Sequence, residues 1–378
     1  MKKRLLSILL CVSMAVAMLI GCGSSEEATE EAAEETAEAT EETAEVDRTI
    51  FVEPEWVQSV IAGEEASVEK YVLAEVSWGG YATAEAYNTA HVPGAIHINS
   101  DTVEYDDCDP WPEGDGIDDI AQYDEDFNYG ENEVLPYDNF NIRSAEQLTE
   151  MMKHFGITED TTVILYGSNA SNSAVTRVAF AMLYAGVDHV KVMDGGFEAW
   201  EAAGLEIETT VNQPVATEED FGVTIPEHPE YIMSVENAKD NLENNENFNL
   251  VSIRSYDEFC GKISGYDYIT MCGEPEGAIW GKDTDDGTYV IDGKVAGVEE
   301  LKQYIEEGGG SYDNELSFYC GTGWRATIPF LIAYEDGKED ISLYDGGWWQ
   351  WTVMNSEDSE AYPIQTITPE EAAALAAE

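Results

Sequence analysis

Positive charge is what this sequence has least of. Its 378 residues carry 17 lysines and arginines against 78 aspartates and glutamates, a formal charge of −61. Nucleic-acid binding needs a basic surface that displaces counterions, so that class of partner is excluded. Any site for a small anion must be a local exception to the global field. The 6 cysteines, Cys11, Cys22, Cys108, Cys260, Cys272 and Cys320, form no Cys-x-x-Cys pair and no cluster with the 5 histidines. No metal site is predicted. Long apolar runs are missing except for Leu5 to Ile20, which follows Lys2, Lys3 and Arg4. That run is short for a membrane span and reads as an export signal.

The signal ends in Leu19-Ile20-Gly21-Cys22 and resembles a bacterial lipoprotein signal. The resemblance implies cleavage after residue 21, a lipid on Cys22, attachment to the cell membrane and an extracytoplasmic location. An ordinary secretory signal or a short anchor helix is the alternative. Residues 22–47 are glutamate, alanine and threonine with little else. Like charges repel there and no apolar face can be buried, so the stretch reads as a solvated tether, with local helix open to it.

What is present is an internal repeat. Val163 to Trp200 and Leu316 to Trp351 both run as an apolar strand, a small-residue turn, a helix, a second strand and Asp-Gly-Gly-aromatic leading to tryptophan. Tyr166 aligns with Tyr319, a period of 153 residues, and Asp194 aligns with Asp345. Upstream of each copy lies a further strand and a Gly-Ala-Ile turn. Strands alternating with helices predict parallel α/β sheets, whose active groups sit beyond the carboxyl ends of the strands. The expected layout is an N-terminal domain over 48–212, a linker over 213–226, a C-terminal domain over 227–362 and a tail over 363–378.

The stretch LSFYCGTGWRAT, residues 316–327, carries the chemistry. A thiolate is nucleophilic only if its negative charge is supported. A turn that aims backbone N–H groups inward forms an anion nest, and a helix starting behind it adds partial positive charge. Gly321 and Gly323 permit such a turn, and Arg325 adds a full charge at its rim. Each of these favours negative sulfur at Cys320. The bland alternative is a buried structural cysteine. Four residues separate Cys320 from Arg325, one fewer than in the C-x5-R loop of cysteine phosphatases, and Tyr319 stands where a histidine often precedes the phosphatase cysteine. A phosphatase or arsenate reductase is therefore the minor alternative.

HVPGAIHIN, MDGGFEAW, YDGGWWQW, SIRSYDEF and YCGTGWRA together resemble the tandem-domain rhodaneses, the thiosulfate and mercaptopyruvate sulfurtransferase family, over about residues 50–358. The resemblance implies two rhodanese-like α/β domains, each a small parallel sheet flanked by helices. It implies a Cys320 persulfide held by the loop, with the C-terminal copy catalytic and no cofactor. In the first copy Gly167 takes the cysteine slot, so that domain is expected to be silent. Ser168 there has no His or Asp partner in view, and Arg177 reads as structural.

Arg254 in SIRSYDEF is, by the resemblance, a ligand for the anionic substrate; a salt bridge to Asp257 or Glu258 is the other reading. Ser252 stands where the family has aspartate. Thr322 either donates to bound sulfur or fits the turn. Trp324 either screens the pocket from water or packs between domains, and Trp348, Trp349 and Trp351 read as domain-interface core. Cys260 and Cys272 either form a disulfide or one of them regulates Cys320. His91 reads as a capping or packing residue. The acidic insertion 105–133 approaches a calcium loop at Asp124, Asp126 and Asn128, but its glycine falls one place late and the twelfth-place Glu is missing, so it reads as solvated surface.

The expected function is an extracytoplasmic sulfurtransferase. Cys320 and Arg325 are the catalytic pair, with Gly321, Thr322, Gly323, Trp324 and Arg254 around the persulfide. The partners are a small anionic donor such as thiosulfate and a thiol or cyanide acceptor. A sulfur-binding or redox-sensing lipoprotein without turnover is the rival.

Overall fold

The computed structural model describes residues 48–105, 117 and 135–377. The export signal, the tether with Cys22, and nearly all of the acidic insertion with Cys108 lie outside the described residues.

The two repeats build the same sheet twice. In the first, β1 (Phe51–Val52), β2 (Tyr71–Ser77), β3 (Ile96–Asn99), β4 (Thr162–Tyr166) and β5 (His189–Met193) pair in the order β1-β5-β4-β2-β3. In the second, β6 (Ile232–Met233), β7 (Phe248–Ser252), β9 (Ile279–Trp280), β12 (Glu315–Tyr319) and β13 (Ile341–Tyr344) pair as β6-β13-β12-β7-β9. Every pairing in both sheets is parallel. The central strands, β4 TVILY and β12 ELSFY, are buried along nearly their whole length because helices cover both faces.

The helices of the first copy are α1 (Pro54–Ile61), α2 (Glu85–Thr89), α3 (Ala145–His154), α4 (Ser173–Ala185) and α5 (Gly196–Ala202). Those of the second are α6 (Val235–Asn244), α7 (Tyr256–Phe259), α8 (Val298–Glu307), α9 (Thr327–Glu335) and α10 (Gly347–Glu357). A hairpin of β10 (Val290–Ile291) and β11 (Lys294–Val295) turns on Asp292-Gly293, both at positive φ, the geometry that matches strand twist. Of the segment 363–378, expected as a tail, the described residues 363–377 are built into the domain. Its β14 (Ile364–Gln365) pairs antiparallel with β8 (Glu274–Pro275), and α11 (Pro369–Ala376) follows with a Thr368–Glu371 capping box. The stretch 213–226 lies on the first copy, with Phe221 and Ile225 buried.

The helices that follow the two central strands meet between the sheets. α4 and α9 are apolar nearly all round, which a helix tolerates only when it is enclosed. Phe180 of α4 meets Phe330 of α9 edge to face at 4.8 Å, and Thr327 Oγ1 lies 2.8 Å from Thr176 Oγ1. The two Asp-Gly-Gly aspartates reach across in near symmetry. Asp194 accepts from the Val295 N–H at 2.9 Å, and Asp345 accepts from the Ile142 N–H at 2.7 Å. One apolar core thus runs through both repeats, and Cys320 is part of it.

Candidate active site

Cys320 follows the last residue of β12, at the carboxyl end of the central strand, and is 1% exposed. Its loop is held by α10. The N–H groups of Trp348 and Trp349 donate to the carbonyls of Cys320 and Gly321 at 2.8 and 3.0 Å. Gly347, at φ +52°, permits that approach, since a Cβ there would lie 2.6 Å from the Gly321 carbonyl. The first copy repeats this: Phe197 and Glu198 donate to the carbonyls of Gly167 and Ser168 at 2.8 and 3.0 Å. The Asp-Gly-Gly-aromatic motif therefore fixes peptide planes. With the carbonyls drawn toward α10, the amides of the same planes face the other way. The N–H groups of Thr322, Gly323, Trp324 and Arg325 meet no acceptor among the described residues. They sit directly before α9, whose N-terminus adds partial positive charge.

The two loop glycines answer different needs. Gly323 is at φ +88°, the left-handed region. Gly321 is required by proximity, because a Cβ there would stand 2.0 Å from Tyr266 Cζ. The Gly321 N–H donates to the Tyr266 hydroxyl at 2.9 Å. Tyr266 carries no signal in the sequence, being 54 residues upstream of Cys320 and outside every motif. Burial pushes its phenol up, so its proton stays on at neutral pH.

Arg325 is expected at the rim, and the structure places it inside a carboxylate cluster. Its Nη1 and Nη2 donate to the two oxygens of Glu258 at 3.0 Å each, Nη1 reaches Asp283 at 3.0 Å, and Nη2 donates to the Tyr266 hydroxyl. The side chain is thus a clamp, joined to the loop through Tyr266. Burial would raise the Glu258 carboxyl, but the Arg325 hydrogen bond and charge, then Arg254, bring it down to about 2.

Arg254 is fully buried. It donates to Glu258 at 3.3 Å, to Glu274 at 2.7 Å, and to the carbonyls of Gly273 and Ser264 at 2.8 and 2.7 Å, with the Trp348 ring 5.2 Å from its guanidinium. Four of its five N–H donors face protein acceptors. This is the internal salt bridge, with Glu258 as one partner, and not an open anion ligand. The aspartate that the family has at Ser252 is replaced in space by Glu274, which accepts from Ser252 at 3.0 Å, from Arg254 and from the Tyr319 hydroxyl. Burial raises the Glu274 carboxyl, with Arg254 opposing. The clue in the sequence is EPEGAI against HVPGAI, which puts Glu274 in the slot of His91. In the first copy the acid stays on the strand: Glu75, at the register of Ser252, meets His97 Nδ1 at 2.7 Å.

Trp324 crosses to the other repeat, its indole donating to Glu104 Oε2 at 2.5 Å. Thr322 is hydrogen-bonded to Tyr268. Trp348 and Trp351 are core of their own domain, while Trp349 donates to the Pro136 carbonyl of the first repeat at 3.2 Å. Arg177, expected as merely structural, is fully buried against the Gly323 turn. His91 packs on Tyr87 and bonds its carbonyl at 2.7 Å. Cys260 and Cys272 are free thiols. Among the described residues no group of three His, Cys, Asp or Glu side chains is placed to hold a metal ion.

The rhodanese-like domain model matches residues 69–203 and 234–353. The thiosulfate sulfurtransferase YnjE of Escherichia coli K12 is 35% identical over 309 residues, which are 80% of this chain and 62% of that protein. This chain thus spans less than two thirds of that relative's length. The crystal structure of YnjE superposes with a TM-score of 0.69 at 33% identity, covering 85% of this chain and 70% of that one. The anaerobic ergothioneine biosynthesis enzyme from Chlorobium limicola, solved in complex with its substrate trimethyl histidine, superposes at 0.68 with 29% identity, covering 84% and 70%. With two parallel sheets of one strand order and a cysteine turn at the end of the second, the chain belongs to the rhodanese sulfurtransferase family as a tandem of two rhodanese-like domains.

Proposed function

We propose that this chain moves sulfane sulfur from thiosulfate, or a similar small anion, to a thiol or cyanide through a persulfide on Cys320. The Cys320 thiolate attacks the outer sulfur of the donor. The S–S bond of thiosulfate breaks, sulfite leaves with its electron pair, and Cys320–S–S⁻ remains. A thiol then takes the outer sulfur and its proton stays with the product persulfide, returning the Cys320 thiolate. The observation that carries this reading is the turn of residues 322–325, whose amides precede a helix and have no described protein acceptor. Such dipoles act as fixed electrostatic stabilisation of charged sulfur and need no proton transfer. The Tyr266 hydroxyl is a further donor beside the same turn. The names of the relatives support the donor.

Intact-protein mass spectrometry after incubation with thiosulfate tests it. The expected result is a gain of one sulfur atom, mapped to the Cys320 peptide and removed by cyanide with release of thiocyanate. Sulfur that loads once and is not released on repeated cyanide addition would instead favour a carrier without turnover.

Charge makes a separate prediction. The arginines around the turn are matched by Glu258, Asp283, Glu274, Glu104 and Asp345, and the whole chain carries −61. A dianionic donor therefore approaches against the field. Raising ionic strength from about 0.02 to 0.2 M shortens the Debye length and should raise kcat/KM for thiosulfate about threefold. A fall with salt would mean that the site attracts anions. The lipoprotein reading of Leu19 to Cys22 places this activity outside the cytoplasm on a membrane anchor; metabolic fatty-acid labelling lost in Cys22→Ser is the expected result.

A further inference from the structure

The first repeat has glycine in the nucleophile slot, yet its helix α4 is aimed at the other repeat's turn. Arg177 follows Thr176, the residue that meets Thr327 behind the cysteine loop. Its Nη1 donates to Asp345 Oδ1 at 2.6 Å, its Nε to Glu104 Oε2 at 3.2 Å and its Nη2 to the Phe140 carbonyl at 2.9 Å. Both carboxylates belong to the loop's support. Asp345 opens the Asp-Gly-Gly segment that draws in the loop carbonyls, and Glu104 holds the Trp324 indole. The guanidinium also touches the turn itself, since a Cβ on Gly323 would lie 2.7 Å from Arg177 Nη1.

We propose that the catalytically silent repeat acts on the sulfur chemistry of its twin through Arg177, a positioning residue that seats the Gly323 turn and balances the Glu104 and Asp345 carboxylates beneath it. The proposal rests on the reading of Cys320 as the sulfur carrier. Its physics is local charge balance. Two buried carboxylates beneath the turn oppose negative charge on sulfur, and the buried Arg177 guanidinium between them, which interacts with Cys320, offsets that field. Arg325, Glu258, Asp283 and Tyr266 form a further cluster at the loop, and Tyr268 packs on Tyr266 near Glu104 and Cys320; none of the variants below replaces any of these residues. Burial pushes the Glu104 carboxyl up to about 7, with Arg177 and the Trp324 hydrogen bond opposing and Asp345 adding to the rise. Its negative charge therefore grows across the neutral range, and Arg177 matters most at the alkaline end.

The test is the rate of Cys320 alkylation by iodoacetamide from about pH 5 to 9, read on the Cys320 peptide by mass spectrometry. No sulfur donor is needed, so a failure of the thiosulfate reading shows up elsewhere, as absent sulfur uptake by the unaltered chain. Arg177→Met is expected to move the profile up by about one pH unit, and Arg177→Lys to restore most of it. Glu104→Gln is expected to move it the opposite way. Opposite displacements separate charge balance from simple loosening of the fold, which would move both profiles in one direction. If Arg177→Met does not fold, Glu104→Gln decides alone, and its profile must move down in pH. Arg177→Met or Glu104→Gln profiles that coincide with that of the unaltered chain, or that move together, overturn the proposal.

Discussion

Cys320→Ser is expected to abolish sulfur uptake, with sulfite release from thiosulfate falling at least about a thousandfold. A serine hydroxyl at neutral pH has neither the charge nor the polarisability of a thiolate, and a persulfide cannot form on oxygen. The substitution is small, and the site is buried but bordered by polar loop amides, so the fold should survive. A thermal melt within a few degrees of the parent would separate lost chemistry from lost structure. The control is already in the chain: Cys260 and Cys272 remain as free, half-buried thiols in Cys320→Ser. If one of them still gains sulfur at the parent's rate, the sulfur carrier has been misassigned. If sulfite release persists with no sulfur on any cysteine, the persulfide route itself is wrong.

The strand, turn and helix around Cys320 were legible because each is written locally. LSFY is an apolar strand, Gly-Thr-Gly is a turn, and the apolar run after Ala326 is a helix with no exposed face. The same pattern occurs twice and forms two sheets with one strand order. What the sequence does not write is who meets whom across distance. Arg325 finds Glu258, Tyr266 and Asp283 at separations of 67, 59 and 42 residues, and no periodicity links those positions. The role of Arg254 could not be read from its motif, because the missing acid at Ser252 returns from Glu274 on another segment. Gly321 looks like a turn glycine, yet the Tyr266 ring makes it necessary. The partners of Arg177, Glu104 and Asp345, lie 73 and 168 residues away, so its place against the Gly323 turn is not written in the local sequence. The segment after 362 has only the short alanine-rich run 372–377 to mark it, and backbone pairing of β14 with β8 ties it to the domain.

The largest stability effect should come from Glu258. Its side chain is 4% exposed and accepts from both guanidinium nitrogens of Arg325, from Arg254 and from the Ser255 N–H. Glu258→Ala leaves two buried arginines short of a counter-charge, a change that costs about 3–5 kcal/mol when one member of a buried pair is removed. The depressed carboxyl gives a similar figure: a fall from 4.5 to about 2 corresponds to about 3 kcal/mol. The sign fixes the pH window. A carboxylate lowered on folding contributes in full above its unfolded value and loses that contribution as pH falls through its folded value. The gap in unfolding free energy between parent and Glu258→Ala should therefore be wide above about pH 5 and should narrow steadily toward about pH 2. Taking the difference between the two proteins cancels Glu104, whose raised carboxyl acts in the opposite sense; Glu274 shares Arg254 with Glu258 and does not cancel, since losing Glu258 lets Arg254 hold it lower. Asp257→Ala next door removes only the exposed pair with Lys262 and should change stability by under about 1 kcal/mol. Urea unfolding at a series of pH values reads both. A gap that stays constant with pH would mean that Glu258 supports the cysteine loop by packing, and that Arg325 is held by Asp283 and Tyr266 without it.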